Sequence, residues 1–422
     1  MNDLHNQAQT YDQEDELRDF RNRFHIPTDA QGKELIYFCG NSLGLQPKAV
    51  AAAVEKELQN WRTKGVEGHF AEPDPWWTYH KQLKKPLAHL AGAKAHEVVA
   101  MNNLTTNLHL LMASFYQPTP ERYKILIEAG AFPSDHYAVE SQIRWHGLDP
   151  ERALVELKPR MGEELLYTED VLQAIDQHRD SLALVLLPGI QYYTGQFFEL
   201  EAMAVAAHQA GAKVGYDLAH AIGNVPLQLH NWDVDFAVWC SYKYLNAGPG
   251  NTGGAFVHER YADDPDMLRL AGWWGHREEE RFQMKPGFKP MYGVDGWQLS
   301  NANILPLAAQ RAALEVIDQA GMDRLRAKSL KLTGFLEECI QNLDPKGHYV
   351  TIITPTNGEE RGCQLSLVFS RQGKQVFENL TQSGIIADWR EPGVIRVAPT
   401  PLYNTFTEVY QFCEILRQTL PL

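Results

Sequence analysis

The chain has 422 residues, of which 44 % are apolar, 22 % charged and 10 % aromatic, enough to fill one large domain and a smaller one. Its net charge of −14 repels a polyphosphate, so nucleic acid is excluded as an expected partner. The five cysteines are scattered and form no CxxC pair, and no apolar run is long enough for a membrane span. This argues against a disulfide framework, a zinc ribbon or a bilayer protein. With a polar, acidic start (MNDLHNQAQTYDQEDEL) in place of a signal peptide, we expect reduced thiols and a cytoplasmic setting.

Leu17, Phe20 and Phe24 fall at helical spacing and predict an amphipathic helix over 14–24. A short strand over 35–38 runs into the turn-rich stretch GNSLGLQPK, after which Pro47 opens a helix over 48–63. A further helix over 78–91 is closed by Gly92. Apolar runs then predict strands at 124–128, 182–187, 213–216, 234–239 and 254–257, separated by helices at 106–116, 134–146, 169–178 and 198–210. Such alternation implies a doubly wound, mainly parallel sheet, whose ligands bind beyond the carboxyl ends of its strands.

The pattern changes after 310. One long helix over 308–341 leads to strands near 348–354, 363–370, 384–389 and 393–397, with helices at 374–383 and 405–419. We read this as a smaller α+β domain. The expected division is a large domain over 56–310 and a small domain over 311–422, with the N-terminal segment 1–55 forming part of the small one.

Two residues carry the chemical signal. Lys243 follows the apolar run VDFAVW and precedes a glycine-rich loop. A lysine in a strand-end pocket can lose its proton and condense with an aldehyde, although a strand-end surface lysine reads the same way. Asp217 ends the run AKVGYD, 26 residues earlier. A carboxylate there can hold a pyridine nitrogen protonated, or it can cap the next helix. Together, an Asp at one strand end and a Lys at the next point to pyridoxal phosphate.

NNLTTNLHLL places Asn and Thr residues at a helix start, which suits a phosphate and equally suits ordinary capping. Phe132 in AFPSD could stack on a pyridine or belong to the core. Gly248, Gly250 and Gly253 satisfy GxGxxG, but a strand follows rather than a helix, so a dinucleotide site is rejected. His69, His220 and His276 show no metal-binding spacing, and no metal is expected.

The blocks PGIQYYTGQ, GYDLAHAIGNVPLQLHNWDVDFAVWCSYKYLNAG, AGWWGHREEERFQM, GNSLGLQPK and RVAPTPLYN resemble the kynureninase family over residues 35–415. The resemblance implies the fold-type I architecture of pyridoxal-phosphate enzymes and a homodimer with composite active sites. It implies hydrolysis of kynurenine or 3-hydroxykynurenine to an anthranilate and alanine. On the matching motifs, Lys243 resembles the lysine that joins the cofactor, Asp217 the partner of its ring nitrogen, and Phe132 the stacking ring. Asp135 completes the FPSD segment, and Leu104 and Thr105 match the phosphate turn. Tyr242 resembles a phosphate ligand that relays protons, and His220 a residue near the cofactor. Trp273 and Asn301 match residues reaching in from the partner subunit, and Arg396 the clamp on the substrate α-carboxylate. Ser42, His69 and Asn301 resemble the branch that accepts the 3-hydroxylated substrate. The alternatives are a cysteine desulfurase or aminotransferase of the same fold, and a non-catalytic binding protein.

Overall fold

The structure, a computed structural model, describes residues 2–420. A two-residue strand, β1 (Ile36–Tyr37), precedes the central sheet. That sheet contains β2 (Val98–Ala100), β3 (Lys124–Glu128), β4 (Leu154–Leu157), β5 (Leu182–Pro188), β6 (Lys213–Asp217), β7 (Phe236–Trp239) and β8 (Gly254–Val257). Their spatial order is β2-β8-β7-β6-β5-β3-β4. Neighbours from β7 through β4 pair in parallel, and β8 runs antiparallel to β7 and β2. The central strands are apolar on both faces because helices cover both. On β5, Val185 and Leu187 enter one core while Leu184 and Leu186 enter the other. Truncating any of these to alanine costs about 2–5 kcal/mol.

The second body has a four-stranded antiparallel sheet, with β9 (Val350–Ile352), β10 (Leu365–Phe369), β12 (Asp388–Arg390) and β13 (Val394–Val397) in the order β12-β13-β10-β9. A further short strand, β11 (Ile385–Ile386), pairs with β1. Leu336, Leu367, Ile395 and Phe412 form its separate core, which also takes Leu4 and Ala8 from the first helix. The larger core includes Leu17, Phe20, Phe24 and Leu45 and runs on through Leu314, Ile317 and Leu325.

Several elements differ from the sequence reading. The first α-helix spans Asn2–Glu14, and only a 3-10 helix, Arg18–Arg23, lies within 14–24. Asp15 makes the break. Its carboxylate accepts the Leu17 N–H at 2.9 Å and pairs with buried Lys328 at 2.7 Å. The long helix at 308–341 is two helices, Ile304–Ala320 and Met322–Leu343, because Gly321 at φ +77° interrupts the helical backbone. The helix at 78–91 is a 3-10 stretch, Trp76–Leu83, followed by an α-helix, Lys84–Ala91. The strand at 384–389 divides, since Ile385–Ile386 pairs with β1 while Asp388 turns to face Arg396 on β13.

Candidate active site

The carboxyl ends of the parallel strands converge on one cavity. Glu128 ends β3, Pro188 ends β5, Asp217 ends β6, and Tyr242 and Lys243 follow β7. Leu104, Thr105, Phe132, Asp135 and His220 complete its wall together with Tyr192. Eight residues singled out in the sequence therefore meet here: Leu104, Thr105, Phe132, Asp135, Asp217, His220, Tyr242 and Lys243.

Lys243 Nζ lies 2.9 Å from His220 Nε2 and 5.9 Å from the centre of the Phe132 ring. Burial, and then the charges of Lys243 and Arg396, hold the His220 imidazole well below its ordinary pKa. It is neutral at physiological pH. Gly44, in the GNSLG motif, packs directly on this segment: a Cβ there would lie 2.2 Å from the Lys243 carbonyl.

Asp217 is 7 % exposed, and its Oδ1 accepts the Ala219 N–H at 2.7 Å. The carboxylate thus caps a turn rather than a helix. The Asp135 carboxyl shares the cavity wall with Asp217 and is raised well above the ordinary range, first by burial and then by the charge of Asp217. Glu128 stands behind the pair, and burial pushes it up to about 8, with Asp217 adding to the shift. Burial also raises the Tyr242 phenol, which keeps its proton.

At another side of the cavity, Leu104 and Thr105 open the helix Leu104–Phe115. Its first N–H groups have no partner within the helix. Asn103 caps one by accepting from Thr106 at 3.0 Å. Thr105 Oγ1 lies 2.8 Å from Ser134 Oγ. Gly253 lets the helix start approach β8, since a Cβ there would lie 3.1 Å from the Leu104 nitrogen.

Arg396 is buried beside this cavity, where its Nη1 donates to the Tyr192 carbonyl at 2.9 Å. Its Nη2 donates to Asp388 and, at 3.2 Å, to Ser42 Oγ. In this structure Ser42 therefore touches the guanidinium and Asp388. His69, Trp273 and Asn301 do not line the cavity. His69 packs edge-on against Trp76, Trp273 is 41 % exposed beside Trp77 and Phe282, and Asn301 is exposed.

Sequence reasoning missed Glu128, Ser134 and Tyr192 in the cavity wall, and Asp388 against Arg396. Glu128 carried a signal, an acidic residue closing the apolar run KILIE. Away from the cavity, Glu97, His230 and His258 bring ligand-type atoms within 4.8 Å of one another. Glu97 accepts from the Lys94 and Glu259 N–H groups at 2.8 and 2.7 Å, and His258 accepts from Arg260. These contacts fasten the sheet edge. No helix among the described residues is long and apolar enough to cross a membrane.

The family model described as the kynureninase C-terminal domain matches residues 325–416. A kynureninase from Flavobacterium psychrophilum is 50 % identical over 413 residues, which cover 97 % of each chain. One from Myxococcus xanthus is 54 % identical over 409 residues, covering 97 % of this chain and 96 % of its own. Among solved structures, an apo cysteine desulfurase from Thermococcus onnurineus aligns with a TM-score of 0.72 at 19 % identity, covering 91 % of this chain and 94 % of its own. A cysteine desulfurase from Escherichia coli aligns with a TM-score of 0.76 at 17 % identity, covering 96 % and 98 %. At these identities the structural likeness establishes the fold, which is the fold-type I α/β architecture.

Proposed function

The chain belongs to the kynureninase family, and from that premise we propose that it hydrolyses the Cβ–Cγ bond of L-kynurenine or 3-hydroxy-L-kynurenine, with pyridoxal 5'-phosphate as cofactor. The products are anthranilate or 3-hydroxyanthranilate and L-alanine. The observation that carries the reading is the meeting of Lys243 and Asp217 in one cavity at the ends of neighbouring strands.

The residues present fit that cofactor. Asp217 is a buried carboxylate suited to a ring nitrogen, and the buried Asp135 Oδ1 and His220 Nδ1 have no partner. The start of helix Leu104–Phe115, with the Thr105 and Ser134 hydroxyls, suits a phosphate. Phe132 offers a ring face near the lysine. When bound, the cofactor supplies an electron sink for charge developing at the substrate Cα and then Cβ.

The side chains orient the substrate and move protons. Lys243 would hold the cofactor through its Nζ, and its free amine would take the substrate Cα proton as general base. Neutral His220 accepts from the Lys243 Nζ and holds it on line. Asp217 would hold the proton on the ring nitrogen by its charge. Tyr242, which keeps its proton and lines the cavity with Lys243, would donate a proton and a hydrogen bond to the phosphate. Arg396 receives the α-carboxylate through a planar donor set. Water adds at the γ-carbonyl, the Cβ–Cγ bond breaks with its electron pair left on Cβ, and alanine is completed by one proton delivered to Cβ and by return of the proton that Lys243 took from Cα.

We further read the enzyme as a cytoplasmic homodimer of tryptophan catabolism with composite sites. Supporting this, Trp273 and Asn301 are exposed and stand outside the cavity of their own chain. His69, Ser42 and Asn301 support acceptance of the 3-hydroxylated substrate by resemblance. A desulfurase reading meets a specific obstacle. No cysteine lines the cavity, and burial pushes the Cys363 thiol up to about 12. The test is anthranilate fluorescence after mixing the cofactor-loaded protein with kynurenine, beside Lys243→Ala. The reading expects signal from the first and none from the second. Equal signal from both removes Lys243 from the chemistry.

A further inference from the structure

The register of β12 on β13 places Asp388 directly opposite Arg396. Arg396 is 1 % exposed and gives Nη2 donors to Asp388 Oδ2 and to Ser42. Ser42 donates to the same Asp388 oxygen. An arginine neutralised by one carboxylate keeps no net charge for a second. A substrate carboxylate approaching Arg396 would then meet the negative charge of Asp388 at close range.

A second guanidinium changes that count. Arg390 Nε lies 3.1 Å from Asp388 Oδ1, and its Nη2 lies 3.1 Å from Oδ2. Among the described residues, no other ion pair involves these three side chains. Two guanidinium groups against one carboxylate leave the cluster with one positive charge. The Arg390 side chain is 38 % exposed, so replacing it leaves the core packing intact.

We propose that Arg390 is a positioning residue for substrate recognition: it neutralises Asp388, so that the buried Arg396 keeps a net positive charge for the α-carboxylate. The inference rests on the reading of Arg396 as the carboxylate clamp. Arg390 acts through Asp388 and makes no contact with the substrate. Charge balance, rather than shape, is its contribution.

The test uses the cofactor-loaded protein and 4-(2-aminophenyl)-4-oxobutanoate. This is the kynurenine skeleton without its α-amine, so it binds without reacting. Its Kd is measured by calorimetry, with the methyl ester as a probe that carries no charge. Arg390→Gln is expected to weaken the carboxylate by about tenfold and leave the ester unchanged. KM for kynurenine should rise by a similar factor with kcat within about twofold. The double variant Arg390→Gln/Asp388→Asn should recover carboxylate binding to within about threefold, because it restores the single positive charge. A Kd for Arg390→Gln within about twofold of the parent overturns the inference. So does a double variant as weak as Arg390→Gln. Arg396→Gln separates the two readings. If it leaves carboxylate binding unchanged, the clamp reading falls and this inference with it. If it weakens binding while Arg390→Gln does not, only the role of Arg390 falls.

Discussion

Lys243 and His220 share one hydrogen bond, 2.9 Å from Nζ to Nε2, inside the cavity. Burial and the nearby cations keep the imidazole neutral, so it accepts from the amine instead of competing with it for a proton. Removing this acceptor frees the lysine to rotate away from the substrate. His220→Ala should lower kcat about 10- to 100-fold while the protein still takes up cofactor, as read by its visible absorbance and by steady-state kinetics. Undiminished kcat would show that His220 has no positioning role.

Asp217 is the second anchor. Asparagine keeps an oxygen for the Ala219 N–H at 2.7 Å, so Asp217→Asn should fold and melt like the parent. It cannot hold a proton on a pyridine nitrogen by charge. We predict a loss of about 10²–10³-fold in kcat with thermal stability unchanged. Activity within tenfold of the parent would count against the ring-nitrogen assignment.

Much of this site was legible in the sequence. Asp217 was found because it ends an apolar run and Lys243 because it follows one, and strand ends in a doubly wound sheet face the ligand crevice. The helix start at Leu104 was found through its Asn and Thr residues. Asp388 and Arg390 were not found, because their role depends on β12 pairing with β13, a non-local register that periodicity does not encode. The first helix was missed although Leu4, Ala8 and Tyr11 follow helical spacing, because its polar composition outweighed that pattern. The break at Gly321 was hidden by apolar periodicity that continues on both sides of it.

Glu128 sets a pH dependence of stability. Its folded pKa of about 8 lies above the ordinary value of 4.5. Between these values the folded state binds more protons than the unfolded state, so stability falls as pH rises. Glu128→Gln removes this titration. In the cofactor-free protein, the stability of the variant relative to the parent should therefore increase between pH 5 and 8, by an amount on the order of 1–3 kcal/mol. Denaturant melts across that range measure it. A constant difference would mean that Glu128 is ionised throughout.

Composite sites make a separate prediction. A Lys243→Ala chain and an Asn301→Ala chain each lack one half of the reading. If Asn301 serves the partner's cavity, a mixed dimer carries one site with both changes and one with neither. Co-refolding equal amounts of the two inactive variants should then recover about a quarter of the parent activity. Recovery no greater than the two variants alone places Asn301 within its own chain or outside the site.

The central claim is that Lys243 joins the cofactor. Borohydride reduction of the cofactor-loaded protein, followed by peptide mass mapping, measures this directly. The account predicts one phosphopyridoxyl adduct, on the peptide carrying Lys243. A stoichiometric adduct on any other lysine, with Lys243 unmodified, would contradict it.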